Sequence, residues 1–198
     1  MADQPVTNPS LLLRLRDPSD SPAWETFSQI YEPLIFAYCR KQGLQEADAR
    51  DVTQDTIISV VRAIQRFDYD QSQGRFRGWL YRVIKSKLAN HFNKSAKQAR
   101  GSGQTIVNQM LNETPDKQDE EAFDKEAEQR VFEWACDKVR PEFEEKTWQA
   151  FWRTAVEQQK SAGVAEDLSM TVGAVYIAKS RVIKRLQGAI REASEWTQ

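Results

Sequence analysis

Apolar residues along this chain come in bursts with helical spacing, separated by polar breaks. The first burst is Leu11, Leu12, Leu13 and Leu15, closed by the run DPSDSP. Ser21 is placed to cap a helix, with Pro22 at its first position. That helix presents Trp24, Phe27, Ile30 and Tyr31 as a core stripe. Pro33 lacks a backbone donor and predicts a kink or break. Leu34, Ile35, Tyr38 and Cys39 follow, and Gly43 stops the helix. A longer helix starts at Glu46. On it Ile57, Val60, Val61 and Ile64 recur at core spacing. Asp51, Gln54, Asp55 and Ile58 recur on roughly the opposite side. Taken alone, that second face is either a solvated surface or a docking surface for a basic helix of a partner.

The run FDYDQSQG breaks the pattern and predicts a loop. A further helix follows, reading FRGWLYRVIKSKLANHF. Residues 95–120 are polar, with Gly101, Gly103 and Pro115, and predict a connector. Helical spacing returns with Phe123, Ala127, Val131, Trp134 and Ala135. Pro141 starts a next helix carrying Phe143, Trp148, Phe151, Trp152 and Val156. These aromatics predict a second small core. Ser161 to Leu168 reads as a short helix and Ser169-Met170-Thr171 as a tight turn. Val172 to Gln187 reads as a longer helix with Val175, Ala178, Val182 and Leu186 inward. A short helix, a tight turn and a longer basic helix make a helix-turn-helix pattern. The expected fold is all-α: two small helical domains joined by a flexible linker.

Charge sharpens this picture. The 198 residues carry a formal net charge of -1, which hides a strong asymmetry. Gln71 to Asn112 holds no Asp or Glu, but does hold Arg75, Arg77, Arg82, Lys85, Lys87, Lys94, Lys97 and Arg100. Phe76, Trp79, Tyr81, His91 and Phe92 are interleaved with them. Cations hold phosphates, and exposed aromatic rings stack on unpaired bases. Glu113 to Glu145 is acidic, and after Leu168 the chain is basic again up to Glu192. Two nucleic-acid surfaces separated by an acidic connector fit this order.

Other classes recede. The single histidine and two scattered cysteines make no usual zinc site, so no metal or other cofactor is expected. Cys39 and Cys136 fall among apolar residues and read as buried free thiols of a reducing compartment. No run approaches the ~20 apolar residues of a membrane span. The start MADQPVTNPS lacks a signal pattern, and a cytoplasmic location is expected. No glycine-rich phosphate loop or nucleophile motif points to an enzyme.

DARDVTQDTIISVVRAI resembles region 2.2 of bacterial RNA polymerase sigma factors of the extracytoplasmic-function (ECF) group, within the sigma-70 family. FRGWLYRVIKSKLANHF resembles their regions 2.3 and 2.4, and SMTVGAVYIAKSRVIKRL their region 4 recognition helix. The ordered set Asp51, Gln54, Asp55, Phe67, Phe76, Trp79, Leu80 and Arg82 carries the first two matches. Gly173, Val175 and Arg181 carry the third.

The resemblance implies four segments: an N-terminal piece (1–20), a region 2-like domain (21–95), a linker (96–121) and a region 4-like domain (122–198). It implies that Asp51, Gln54, Asp55 and Ile58 meet the β′ clamp helices of core RNA polymerase. It places Tyr69, Asp70, Gln71, Ser72, Gln73 and Arg75 at the melted -10 element. Trp79, Arg82, Lys85, Lys87, Asn90, His91 and Lys94 join them there, although Trp79 fits a core position better than a DNA contact. It places Thr171, Tyr176, Ile177, Lys179, Ser180, Arg181, Lys184 and Arg185 on the duplex -35 element. An anti-sigma factor is a further partner it allows. Two rival readings stand beside it: a stand-alone helix-turn-helix regulator using only residues 161–191, and a helical protein-binding adaptor.

Overall fold

A computed structural model describes residues 11–65, 76–100 and 117–193, with residues 96–100 as backbone only. Among the described residues every regular element is helical. The helices are α1 (Leu11–Arg14), α2 (Ser21–Lys41), α3 (Glu46–Ile64), α4 (Phe76–Arg100), α5 (Lys117–Val139), α6 (Glu145–Phe151), α7 (Ser161–Asp167) and α8 (Val172–Ala193). The chain divides into two compact units, and the boundary falls inside α5, between Arg130 and Val131.

In the first unit α2 is capped by Asp20, not by Ser21. The Asp20 carboxylate accepts the Ala23 N–H at 3.0 Å and is gripped by both arms of the Arg14 guanidinium at 2.8 Å. A carboxylate held by a neighbouring arginine wins the capping position over the exposed serine. Nor does Pro33 break the helix: α2 is continuous through it. Pro33 forfeits one backbone bond, but Ile30, Tyr31, Leu34 and Ile35 on both sides are fully buried, and packing holds the two halves in line. The end is as expected. Gly43 takes φ +90, its N–H reaches the Arg40 carbonyl at 3.0 Å and that of Leu44 reaches Cys39 at 3.3 Å. This left-handed cap closes α2 and buries Leu44.

The core of this unit is aromatic. Phe27 stacks on Tyr31 at 4.8 Å, and Phe76 of α4 stands edge-on to both at 6.2 and 5.7 Å. α3 packs between α2 and α4 through Ala49, Val52, Thr53, Thr56, Val60 and Ile64. The two threonine hydroxyls bond back to the Ala49 and Val52 carbonyls at 2.7 Å, so neither enters the core unsatisfied. Val61 was expected inside and is instead 40% exposed, because Thr53 and Thr56 turn the buried stripe away from it.

α4 continues to Arg100 and α5 opens at Lys117, so both enter the stretch read as linker. The opening turns of α5 belong to the first unit. Phe123 was expected in the second core, but lies in the first, 5.6 Å from the Tyr38 ring and 5.6 Å from the Tyr81 ring. Beside it both tyrosine hydroxyls donate to one oxygen of Asp119, that of Tyr81 at 2.7 Å. Burial works against the Asp119 charge, but the hydrogen bonds from Tyr38 and Tyr81, with Lys85 and Lys41 nearby, outweigh it and hold the carboxyl below its ordinary value. Burial, against a smaller lowering by the Tyr38 hydroxyl and with help from the Asp119 carboxylate, pushes the Tyr81 hydroxyl up to about 12. Asp119→Ala should therefore cost the first unit about 2–3 kcal/mol, the worth of hydrogen bonds to a charged group. The depressed carboxyl contributes stability above the ordinary carboxylate range and loses it as pH falls below that range. Urea unfolding of wild type and variant should accordingly differ at pH 7 and converge in acid.

The second unit, from Val131 onward, has two apolar clusters. Ala135, Cys136, Val139, Trp148, Phe151, Val182, Leu186 and Ala189 form the larger one, between α5, α6 and α8. Pro141 sits in a 3-10 turn (Arg140–Glu142) and α6 starts later, at Glu145, correcting the expected start. A π-helical turn (Trp152–Val156) follows, tied down by Arg153, which bonds Gln159 at 2.8 Å and pairs with Asp167 of α7. Ala150, Val164, Ala165, Val175 and Ala178 make the smaller cluster, which packs α7 onto α8. Cys39 and Cys136 are buried free thiols, as expected.

Candidate nucleic-acid interface

Local packing decides which polar side chains of α3 face outward. With Thr53, Thr56 and Val60 turned in, Asp51, Gln54, Asp55 and Ile58 all lie exposed along one stripe. Neither Asp51 nor Asp55 forms an ion pair among the described residues. Val61 prolongs the same stripe one turn further, so the ridge is acidic at its start and apolar at its end. Sequence spacing had assigned Val61 to the core. The signal it offered was ambiguous, since Thr53 and Thr56 read as polar until their back-bonds are seen.

On α4 the expected set separates. Trp79, Arg82, Ser86, Asn90 and Lys94 share one face of the helix. Arg82, Asn90 and Lys94 on it are exposed, while Lys87 is half-buried. Trp79 is half-buried, its ring 5.4 Å from that of Phe76. Phe76 and Tyr81 are fully buried, which corrects their reading as base-stacking rings. The core took them because helical spacing places both on the inward face. His91 turns toward α3, with Nε2 3.9 Å from Asp48, and Lys85 lies near the Asp119 carboxylate. Tyr69, Asp70, Gln71, Ser72, Gln73 and Arg75 lie outside the described residues.

In the second unit the turn between α7 and α8 repeats the device seen at Gly43. Ser169 takes φ 52, its N–H reaches Glu166 at 3.1 Å, and that of Met170 reaches Ala165 at 2.8 Å. The left-handed residue reverses the chain within three positions. Thr171 then caps α8, its hydroxyl accepting the Ala174 N–H at 3.1 Å. Tyr176, Ile177, Ser180, Arg181, Lys184 and Arg185 are exposed on α8, and Lys179 is half-buried. Two of the cations are engaged. The Arg181 guanidinium sits 6.0 Å over the Phe143 ring. Arg185 grips the Glu142 carboxylate with two nitrogens, and this hydrogen bonding lowers the Glu142 pKa and raises that of Arg185. Glu142 was missed at the sequence level because it lies in the acidic block, 43 residues before its partner.

The Sigma-70 region 2 family matches residues 27–98, the segment that holds α2, α3 and α4. This segment is similar to region 2 of the sigma-70 family. The stripe of α3 and the cationic face of α4 both lie inside the region 2 match. A curated relative, the ECF RNA polymerase sigma factor SigE of Mycolicibacterium smegmatis, is 28% identical over 67 residues, covering 34% of this chain. The chain spans about a quarter (24%) of that relative's length. Among the described residues no helix is long and apolar enough to cross a membrane, and no cluster of His, Cys, Asp and Glu is arranged to hold a metal ion.

Proposed function

We propose that this chain is an ECF-type RNA polymerase sigma factor, a non-catalytic subunit that directs transcription initiation. The observation that carries the reading is the α3 stripe: Asp51 and Asp55, without an ion pair among the described residues, with Gln54 and an exposed Ile58, inside the region 2 match. Two carboxylates next to an apolar side chain suit a basic amphipathic helix, and the β′ clamp helices of core polymerase are the partner proposed for it.

The first unit then holds the melted -10 strand. Arg82 and Lys94 take phosphates, Trp79 offers a ring edge beside them, and Asn90 supplies a donor and an acceptor for a base edge. Lys85, Lys87 and His91 stand at the margin of this face, His91 turned toward α3. The second unit sets α8 in the major groove of the -35 duplex, with Thr171 at its entry and Lys179, Lys184 and Arg185 toward phosphates. Arg185 must leave Glu142 to make that contact. Phosphate contacts supply most of the raw affinity, and binding weakens as salt rises.

Gel filtration of the full chain with purified core polymerase tests this reading. Co-elution in a one-to-one complex is expected. A chain that elutes apart from polymerase and binds a palindromic duplex as a dimer would instead be a stand-alone regulator.

A further inference from the structure

The outward face of α8 changes character along its length. Its first two turns present Gly173, Tyr176 and Ile177, and its exposed cations, Arg181, Lys184 and Arg185, come only afterwards. Tyr176 and Ile177 are 60% and 63% exposed, more than any other large apolar side chain among the described residues. A helix shows this much apolar surface to water at a thermodynamic cost, so something of matching chemistry should cover it. The charges on the same face say what. Arg181 and Lys184 flank the apolar patch, and α8 carries no acid before Glu192. A polyanion with apolar groups on its surface fits both features.

In a helix set into the major groove, the first turns of the recognition helix reach base edges. Guanine and adenine are read there by paired donors and acceptors on Arg, Lys, Asn or Gln. Gly173, Tyr176 and Ile177 offer no such fork, and the Thr171 hydroxyl oxygen already accepts the Ala174 N–H. The one major-groove feature that an isoleucine can read is the C5-methyl group of thymine. We infer that Ile177, flanked by Tyr176, makes the upstream specificity of this protein depend on thymine methyl groups, with Arg181 reading the next base along. The inference rests on the sigma-factor reading and names the DNA chemistry its second unit selects.

The test exchanges thymine for uracil. Full chain bound to core polymerase selects duplexes from a randomised pool, and the selected upstream element is remade with deoxyuridine at each thymine in turn. Uracil removes the methyl and leaves every hydrogen-bonding edge unchanged. At the Ile177 position binding should weaken about fourfold per methyl removed, the worth of one buried carbon. Ile177→Ala should bind the thymine and uracil duplexes alike, whereas Ile177→Leu should keep part of the difference. Tight, selective binding that ignores the exchange at every position overturns the inference and leaves the sigma-factor reading standing. Loss of core polymerase affinity in Ile177→Ala without DNA would show that the patch docks protein, and also overturns it. If the complex selects no duplex at all, the sigma-factor reading falls first and this inference falls with it.

Discussion

Asp51→Arg should weaken binding to core polymerase at least tenfold while leaving the unfolding of the protein within about 0.5 kcal/mol of wild type. The structure separates these two effects cleanly. Asp51 is exposed and carries no ion pair among the described residues, so its replacement breaks nothing in the fold. The new guanidinium would stand within one turn of Gln54 and Asp55, on the surface proposed to meet a basic helix. Like charges set against each other across an interface cost several kcal/mol, and about 1.4 kcal/mol is already one decade in affinity. Gln54→Ala on the same stripe removes an amide without adding repulsion, and its loss should be smaller. Titration of fluorescent protein with core polymerase measures both. Equal affinity for Asp51→Arg and wild type would remove the α3 stripe from the interface.

Phe76→Ala should destabilise the first unit by about 3–5 kcal/mol, a large part of the 5–15 kcal/mol that holds a typical domain. Phe76 is fully buried against Phe27, Tyr31 and Trp79, where α4 crosses α2. Removing the ring leaves a cavity that three other aromatic rings cannot fill without leaving their own contacts. Trp79→Ala makes the informative comparison. Trp79 is half-buried on the face it shares with Arg82 and Lys94, so its truncation should cost less stability and more affinity for single-stranded DNA. Urea unfolding paired with strand-binding titrations distinguishes the two. A Phe76→Ala protein as stable as wild type would show that the ring is not part of the core.

These two residues also show how far the sequence carries. Both are aromatic and both stand among cations, and that placement alone does not tell a stacking ring from a core ring. Helical phase within α4 separates them, and that phase is set by contacts with Phe27 and Tyr31 far away in the chain. The stripe of Asp51, Gln54, Asp55 and Ile58 was legible because four spaced residues on one helix need no partner to define a face. Val61 was misassigned because Thr53 and Thr56 hide their hydroxyls by bonding carbonyls one turn back. The Asp119 contact was illegible for a different reason. It joins α5 to Tyr38 and Tyr81, 81 and 38 residues away, and nothing local in the acidic block singles Asp119 out from its neighbours. The basic, acidic, basic order likewise concealed that Glu142 holds Arg185.

As a sigma factor, this protein should give core RNA polymerase the ability to start at chosen sites. Run-off transcription measures it directly: purified core polymerase on genomic fragments of the host, with and without the full chain. Discrete transcripts are expected from a limited set of fragments only when the protein is present, and they should disappear with Asp51→Arg. Transcript patterns that are the same with and without a folded, active preparation of the protein would contradict that role.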